Sequence, residues 1–419
     1  YARIRDQFNI PIGKFEGIEE PLARIAGIAY LLDAARRLTC TALNLGHHPA
    51  VISGIMKLHA TERMRIAVDD AMDIHAGKAV IDGPQNYMGG LYRAVPVGIT
   101  VEGANILTRN LIVFGQGAIR AHPYLLSEMT ALADPDKQKG LDAFDRAFWG
   151  HVGHSIANAL RAWGRSWTGG LFAPAPDAGA ATPFYRQLSR FSSAFALCAD
   201  MALLTLGGAL KRKEMLSARF GDILSELYLL SAALKRWEDE GRQEADFAAL
   251  EWCMAQGLRT IELRLSEILN NLPNRFVAVL LRVMILPLGV AARGPSDAVV
   301  HRCAQLVLEP SAARERLTPD IYHADDDRGP ARLEHAFRLV TEAEPLVKRL
   351  RAARLHDWRV AAKNGVLTAK EAAQLEAAQA AVAKVIEVDD FAADELSPPA
   401  GHEAQENKMQ DYRPTLVAG

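Results

Sequence analysis

The stretch Val97-Gly-Ile-Thr-Val-Glu-Gly-Ala-Asn-Ile-Leu-Thr-Arg109 places a single carboxylate, that of Glu102, among apolar neighbours. Four apolar or nearly apolar residues precede Glu102, and Gly103 follows it. Such neighbours would shield the carboxylate from water, which suits a general base. Gly103 lacks the side chain that would block a ligand approaching the backbone. The spacing alone also fits a simpler interpretation, in which Glu102 is a helix-start carboxylate favoured by the helix dipole.

The residues around this stretch predict helices, because apolar residues recur at helical spacing and alternating β-type runs are few. We predict a first helix with Pro21 in its first turn that ends at Gly46, and a second helix over about 50–74. Residues 77–99 hold five glycines and two prolines, which predicts a long irregular connection. A third helix is then predicted from near Ala104 toward Phe114. The predicted fold class is all-α.

The later part of the chain also has a helical pattern. An amphipathic segment is followed by a Gly-, Ala- and Pro-rich linker over 169–183, and helical blocks are predicted over 184–309 and 331–391. Thr368 and Glu371 have the spacing of a capping box. We predict that the apolar stripe of the amphipathic segment faces the core, with a membrane-surface helix as the alternative. The stripe consists of Leu141, Phe144, Phe148, Val152, Ile156, Leu160 and Trp163.

These patterns predict a division of the chain into four parts. A helical bundle would occupy about 1–125, a connector 126–183, and a second helical domain 184–395. The residues from 396 to 419, with few apolar side chains, are predicted to be disordered. The chain of 419 residues begins with Tyr1 and not Met, so we expect it to be the C-terminal portion of a longer protein.

Composition excludes several classes of function. The 48 basic and 50 acidic residues give a net charge of −2, so the whole chain has no electrostatic preference for nucleic acid. The four cysteines are far apart and form no pair with metal-ligand spacing. His151 and His154 are one helical turn apart, but no further ligand is nearby in sequence, so we predict no metal site.

Three short motifs make the sequence resemble the acyl-CoA dehydrogenases. The segment Val101–Arg109 resembles that family's Glu-Gly-Thr motif, which an apolar residue, a polar residue and an arginine follow after a few positions. Arg5-Asp-Gln-Phe8, followed by Pro11-Ile-Gly-Lys-Phe15, resembles its Arg-x-Gln-Phe signature. Asp73-Ile-His-Ala-Gly77 aligns with its Gln-Ile-x-Gly-Gly turn. The order and spacing of these motifs agree over about the first 125 residues.

The resemblance implies roles for these residues. It implies that Glu102 removes the α-proton of an acyl thioester, that Gly103 lies at the substrate, and that FAD accepts the hydride. It further implies that Arg5, Gln7 and Phe8 contact the FAD of a neighbouring subunit. The remaining flavin contacts implied are Asp73, Gly77 and Ala104. Four positions depart from the pattern: Ala104 replaces a threonine, Asn9 replaces a glycine, and Asp73 and Glu16 replace glutamines.

Two further phrases resemble the large bacterial members of the family, which act in fatty-acid β-oxidation. These are Gly13 to Ala23 and Phe114 to Arg120, and the family members with them also have an added helical region. The resemblance implies oxidation of fatty acyl-CoA to trans-2-enoyl-CoA, an electron-transfer flavoprotein or similar acceptor, and a homodimer. It implies a bacterial cytoplasmic location, with possible peripheral contact at the inner membrane. The alternatives are an acyl-CoA oxidase or other acyl-CoA dehydrogenase of the same fold, or a helical docking module without catalysis.

Overall fold

The computed structural model describes residues 1–118, 122–322, 329–355 and 357–391, and the regular secondary structure in these ranges is helical apart from one small hairpin. The hairpin pairs β1 (Asp6–Gln7) with β2 (Ile10–Pro11) in antiparallel register. Its two tip residues, Phe8 and Asn9, have φ angles of 49° and 65°. Positive φ at both central residues is what a tight hairpin turn requires. The all-α prediction is confirmed.

The first part of the chain contains α1 (Glu16–Asn44), α2 (Ala50–His75), α3 (Gly77–Val80), α4 (Gly89–Thr100) and α5 (Asn105–Leu107), which continues into a π-helix, Thr108–Gln116. The bounds of α2 match the prediction to within one residue. The placement of Pro21 in the first turn is wrong, because α1 begins at Glu16. Pro21 lies inside α1, and because proline has no backbone N–H it cannot donate to the carbonyl of Gly17. Gly17 is exposed, so water can take the place of the missing donor.

The predicted irregular connection over 77–99 is also wrong, because α3 and α4 occupy most of it. The side chain of Asn86 bonds to the start of α4, which the glycine content of this segment did not predict. Its side-chain oxygen accepts hydrogen bonds from the backbone N–H groups of Met88 (2.9 Å) and Gly89 (2.8 Å). These bonds satisfy amides that a helix start leaves unpaired. α4 then packs against α2 and buries Val95.

The later part of the chain contains the following helices: α6 (Leu125–Leu132), α7 (Lys137–Trp167), α8 (Thr182–Leu206), α9 (Glu214–Asp239), α10 (Phe247–Asn271), α11 (Arg275–Ile285), α12 (Asp297–Leu308), α13 (Ala312–Leu317), α14 (Gly329–Ala352), α15 (Trp358–Lys363) and α16 (Ala369–Ile386). The capping box at the start of α16 is confirmed: Thr368 N donates to Glu371 Oε2 (2.8 Å), and Glu371 N donates to Thr368 Oγ1 (3.3 Å). The predicted disordered tail, 396–419, and the last two residues of the phrase ending at Arg120 lie outside the described residues.

The main hydrophobic core contains residues from both of the predicted helical domains, 1–125 and 184–395. It combines apolar residues of α1 with those of α8 to α12, and Tyr30, Phe220 and Leu250 are almost fully buried in it. Each large apolar side chain buried in this way stabilises the fold by about 1.5–3 kcal/mol. The predicted boundaries near 125 and 184 stay a prediction, but the hydrophobic core is continuous across them.

The apolar stripe of α7 faces outward, so the prediction that it faces the core is wrong. Leu160 and Trp163 are 65% and 51% exposed. A different face of α7 is buried, mostly through small residues, which allow α6 and α8 to approach closely. That buried face consists of Gly140, Ala147, Asn158, Ala162 and Ser166.

One stretch, Gly179–Arg212, is long and apolar enough to cross a membrane by length and composition. It contains α8, whose Leu188, Phe191 and Leu197 are buried in the main core. This packing is what a core helix of a globular domain shows.

Candidate functional site

The proposed base, Glu102, lies on a sharp turn between α4 and α5. Glu102 has a φ of 54° and Gly103 a φ of 87°. A positive φ is unfavourable for a residue with a side chain, and such strain is held only where surrounding contacts fix it. At Gly103 the same conformation favours glycine, and little surrounds the position where a Cβ would stand. The turn therefore leaves the backbone beside Glu102 exposed, and the role of Gly103 at a substrate stays a prediction.

The ammonium group of Lys57, on α2, holds this turn. Lys57 Nζ donates to the carbonyl oxygen of Gly103 (2.7 Å) and to Asn105 Oδ1 (2.7 Å). Asn105 is buried, and its Nδ2 donates to Thr61 Oγ1 and Glu62 Oε1, both at 2.9 Å. Hydrogen bonds from a charged donor are stronger than neutral ones. α2 therefore fixes the backbone immediately after Glu102.

The expectation that apolar neighbours shield Glu102 from water is wrong for this chain by itself. Glu102 is exposed, and so are the apolar residues around it: Val97 is 57% and Ile106 77% exposed, and Val101 is about half exposed. Exposed apolar groups that cluster on a surface mark a contact or ligand-binding region. Glu102 thus has an apolar rim, which can shield it only when another surface covers that rim.

Behind the turn, the π-helix is joined to α9 by an ion pair. Arg109 Nε donates to Asp222 Oδ1 (2.7 Å) and Arg109 Nη2 to Asp222 Oδ2 (2.6 Å). The hydrogen bonds with Asp222 raise the pKa of Arg109 above its ordinary value. Gly221 lets the backbones approach, because a Cβ there would stand 3.1 Å from the carbonyl oxygen of Arg109. Sequence reasoning identified neither Lys57 nor Asp222, since nothing in the local pattern marks them.

The hairpin carries the residues that resemble the Arg-x-Gln-Phe signature. The Gln7 side-chain amide lies against the guanidinium of Arg5. Phe8 is 87% exposed at the tip and meets Phe15 edge to face, with ring centroids 6.3 Å apart. Helix α14 holds the tip, because Arg351 Nη2 donates to the carbonyl oxygen of Asn9 (2.5 Å).

The turn at the end of α2 lies beside this hairpin. Asp73 and Gly77 are both exposed, and Ala76 between them has a φ of 51°. Ile74 shares a hydrophobic cluster with Ile12, which follows β2. The structure thus brings Arg5, Gln7 and Phe8 to the same region as Asp73 and Gly77.

Glu102, Gly103 and Ala104 belong to the other end of α2. Lys57 contacts the Glu102 turn, whereas Asp73 is sixteen residues later in the same helix. At a rise of about 1.5 Å per residue, the two positions are roughly 24 Å apart. The predicted site residues therefore form two groups, and the described chain does not unite them.

A third polar cluster combines His122, His151 and Asp200, whose potential ligand atoms all lie within 4.8 Å of one another. His122 Nε2 lies 3.0 Å from Asp200 Oδ1. His122 Nδ1 accepts hydrogen bonds from the backbone N–H groups of Tyr124 and Leu125. This pattern places the ring proton on Nε2, which donates it to Asp200. Burial lowers the pKa of His122, so the pair is already satisfied with a neutral imidazole.

A metal ion at this cluster would need the His122 nitrogen that carries the proton, and a metal-bound histidine normally donates through its other ring nitrogen. At His122 that other nitrogen already accepts two hydrogen bonds. His154 bonds instead to Asn158, with 2.8 Å between Nε2 and Nδ2. The absence of a metal site stays a prediction.

Two family models match the chain. Residues 119–391 match the model described as "Acyl-CoA dehydrogenase, C-terminal, bacterial type", and residues 1–115 match the "Acyl-CoA dehydrogenase, C-terminal domain". The chain belongs to the acyl-CoA dehydrogenase family. It corresponds to the C-terminal portion of bacterial-type members. The first model ends at residue 115, inside the π-helix that follows the Glu102 turn, and the second begins at residue 119.

A solved structure from the family has the same fold. It is the crystal structure of an acyl-CoA dehydrogenase from Bacillus anthracis complexed with FAD, and it is 18% identical with a TM-score of 0.55. The match covers 77% of this chain and 52% of that one. The chain therefore spans about half the length of this acyl-CoA dehydrogenase.

Proposed function

We propose that the chain provides the catalytic base of an FAD-dependent dehydrogenase that converts fatty acyl-CoA to trans-2-enoyl-CoA in fatty-acid β-oxidation. The observation that carries the proposal is the presentation of Glu102. Its carboxylate stands on a turn fixed by Lys57 and is bordered by exposed apolar residues. This arrangement suits a base that meets the carbon next to a thioester carbonyl once the apolar rim is covered.

The chemistry required of the chain is the removal of one weakly acidic proton. Glu102 would accept the α-proton of the acyl thioester, and a positioned base contributes about 10²–10⁴ to the rate. Covering the rim would remove water from the carboxylate and strengthen its basicity. FAD, when bound, supplies the acceptor for the hydride that leaves the β-carbon.

The hairpin residues suit a negatively charged dinucleotide. Among the described residues, no carboxylate lies within 4 Å of the Arg5 guanidinium, so Arg5 can form a charge-assisted hydrogen bond with a phosphate or ribose oxygen. Gln7 and the exposed Phe8 ring lie beside it. Asp73 and Glu16, which depart from the family pattern, are exposed, so water weakens their repulsion of a phosphate. Ala104 offers no hydroxyl group to a cofactor.

The distance between the two groups of residues favours a homodimer. The Glu102 turn and the hairpin lie at opposite ends of α2, roughly 24 Å apart by helix rise. One chain would then contribute Glu102 to one flavin and Arg5, Gln7 and Phe8 to the flavin of its neighbour. We propose this arrangement for the complete protein, with an electron-transfer flavoprotein or a similar acceptor as the oxidant of the reduced flavin.

We further propose a bacterial cytoplasmic location with peripheral contact to the inner membrane through α7. This helix exposes Leu160, Trp163 and most of the remaining stripe, and Trp167 Nε1 donates to the carbonyl oxygen of Val283 on α11 (3.0 Å). α11 exposes a further apolar row, so the two helices form one surface. α7 carries five basic and two acidic side chains, which favours anionic lipid. Trp163→Glu should reduce flotation with anionic liposomes at least fivefold, and equal flotation would reject the contact.

The experiment that tests the dehydrogenase is Glu102→Gln in the complete protein. The substitution removes the base but keeps the shape of the side chain. We expect FAD to remain bound and its anaerobic reduction by palmitoyl-CoA to slow about 10³-fold or more. Reduction within a few-fold of wild type would contradict the role of Glu102.

Two alternatives have separate outcomes. Rapid reoxidation of the reduced flavin by oxygen would identify an oxidase of the same fold. A purified complete protein without flavin absorbance, but with retained partner binding, would identify a docking module.

A further inference from the structure

A two-point ion pair behind the Glu102 turn joins regions matched by two different family models. Arg109 follows the turn by seven residues and lies in the part matched by the C-terminal domain model. Asp222 lies on α9, in the part matched by the bacterial-type model. Both oxygens of Asp222 accept from Arg109, and Asp222 Oδ2 also lies 2.7 Å from Arg264 Nε. The carboxylate is buried, so its geometry is fixed by these cations.

The helical form of the segment gives this contact a consequence. Thr108–Gln116 is a π-helix, a form that is rare and frequently lies at functional sites. Relaxation of a π-helix to an α-helix replaces hydrogen bonds between residues five apart with bonds between residues four apart, so the residues rotate around the helix axis. Arg109 is the second residue of this π-helix, and Thr108 at its start bonds back to the turn: its N donates to Ala104 O (3.0 Å) and its Oγ1 to Gly103 O (3.4 Å). A shift of Arg109 would therefore displace the turn that carries Glu102.

A second buried polar contact joins α2 to α9. Arg63 of α2 bonds to the buried carboxylate of Glu226, one helical turn after Asp222. Glu62, next to Arg63, accepts from Asn105. The polar side chains that line a cleft of about 500 Å³ thus connect α9, α2 and the Glu102 turn through hydrogen bonds and ion pairs.

We propose that Asp222 is a positioning residue for Glu102, so that the bacterial-type extension sets the geometry of the catalytic turn through Arg109 and the π-helix. This inference rests on the proposed function. Asp222 acts without touching the substrate, and its carboxylate keeps the segment Thr108–Gln116 in its π form. Loss of that anchor should slow proton removal while leaving substrate affinity nearly unchanged, because the displaced group is the base.

The test compares Asp222→Asn with a matched control, Asp246→Asn, in the complete FAD-containing protein. Asp246 is also buried and is also bound on both oxygens, by Arg316 Nε and Nη2, each at 2.7 Å. That pair joins α13 to the start of α10, away from the Glu102 turn. Both substitutions should lower the melting temperature by similar amounts.

Only Asp222→Asn should slow flavin reduction by saturating acyl-CoA, by about tenfold or more, with the Kd of acyl-CoA changed less than about threefold. Asp222→Glu, which keeps the charge, should recover part of the rate. Wild-type reduction in Asp222→Asn, or equal slowing in Asp246→Asn, would overturn the proposal.

A second measurement separates this inference from the proposed function. Amide hydrogen exchange over residues 103–116 should accelerate in Asp222→Asn and stay unchanged in Asp246→Asn, whatever the protein catalyses. If exchange accelerates only in Asp222→Asn but Glu102→Gln retains full activity, the proposed function fails and the anchoring of the turn by Asp222 stands. Unchanged exchange in Asp222→Asn removes the anchoring.

Discussion

The Glu102 turn and the Phe8 hairpin lie near opposite ends of α2 and differ in how they are held. Both are exposed, and both contain two consecutive residues with positive φ. The Glu102 turn is held from within by Lys57 of α2 and from behind by Asp222 of α9. The hairpin is held at its tip by Arg351 of α14. Different helices of the later part of the chain therefore reach each of the two groups of predicted site residues.

The difference indicates which end tolerates movement. The cations at the Glu102 end, Lys57 and Arg109, are half-buried, whereas Arg351 is exposed. Ion pairs in water contribute little, while buried charged hydrogen bonds define one geometry. We infer that the Glu102 end is the more rigid, as a base needs to be, and that the hairpin can adjust to a ligand.

Among the substitutions that test this difference in rigidity, the loss of the Lys57 ammonium group should have the largest effect. Lys57→Met keeps the length of the side chain but loses the hydrogen bonds to Gly103 and Asn105. Flavin reduction in the complete protein should slow about 10–100-fold, because a small displacement of a base has a large effect on rate. Lys57→Arg, which keeps a cation, should retain more activity. Wild-type reduction in Lys57→Met, measured by stopped flow, would show that the turn holds its own conformation.

The Glu102 end also contains a half-buried histidine, His59, whose ionisation a change of pH can probe. Burial, followed by the charges of Arg63 and Arg109, lowers the pKa of His59 at the Glu102 end to about 3. In the unfolded chain the pKa is about 6.5, so between these values only the unfolded state takes up the proton. Stability should therefore be complete above pH 6.5 and fall as the pH decreases, by up to about 1.4 kcal/mol per unit.

His59→Gln provides the control for this pH dependence, since burial also raises the pKa of Glu226 and so opposes the trend at low pH. Denaturant unfolding of both proteins at pH 7, 6 and 5 should show a shallower loss of stability in the variant. Parallel pH profiles would show that His59 gains a proton in the folded state.

The smallest effect is expected at the hairpin. Arg351→Ala removes one exposed hydrogen bond to Asn9, so FAD affinity of the complete protein should fall about threefold. Arg349→Ala is the matched control: Arg349 is also on α14, but it pairs with Glu371 at 2.8 Å and not with the hairpin. Equal affinities for all three proteins in FAD titrations would mean that the hairpin needs no support from α14.

The sequence predicts features that are encoded locally. Thr368 and Glu371 are three residues apart, and both bonds of their capping box form within one helical turn. The end of α2 is likewise predicted within one residue, because the chain changes conformation at Ala76 and Gly77. The position of Glu102 just before a helix is predicted for the same reason, whereas the positive φ angles of Glu102 and Gly103 are not.

The rest depends on contacts between distant residues. Lys57 and Gly103 are 46 residues apart, and Arg109 and Asp222 are 113 apart, so no spacing rule connects them. The outward direction of the α7 stripe was missed because periodicity defines an apolar face but not what covers it. On α7, small residues such as Ala147 and Ala162 form the buried face instead.

The continuous packing of α1 against α8 to α12 limits how this protein can be dissected. A chain shortened after α6 would uncover Tyr30 and its neighbours on α1, which the later helices enclose. Such a truncate would aggregate, and its binding to lipid would report misfolding. Single substitutions at exposed positions leave the hydrophobic core intact. They are therefore the suitable way to separate the functions of the first part of the chain from those of the later helices.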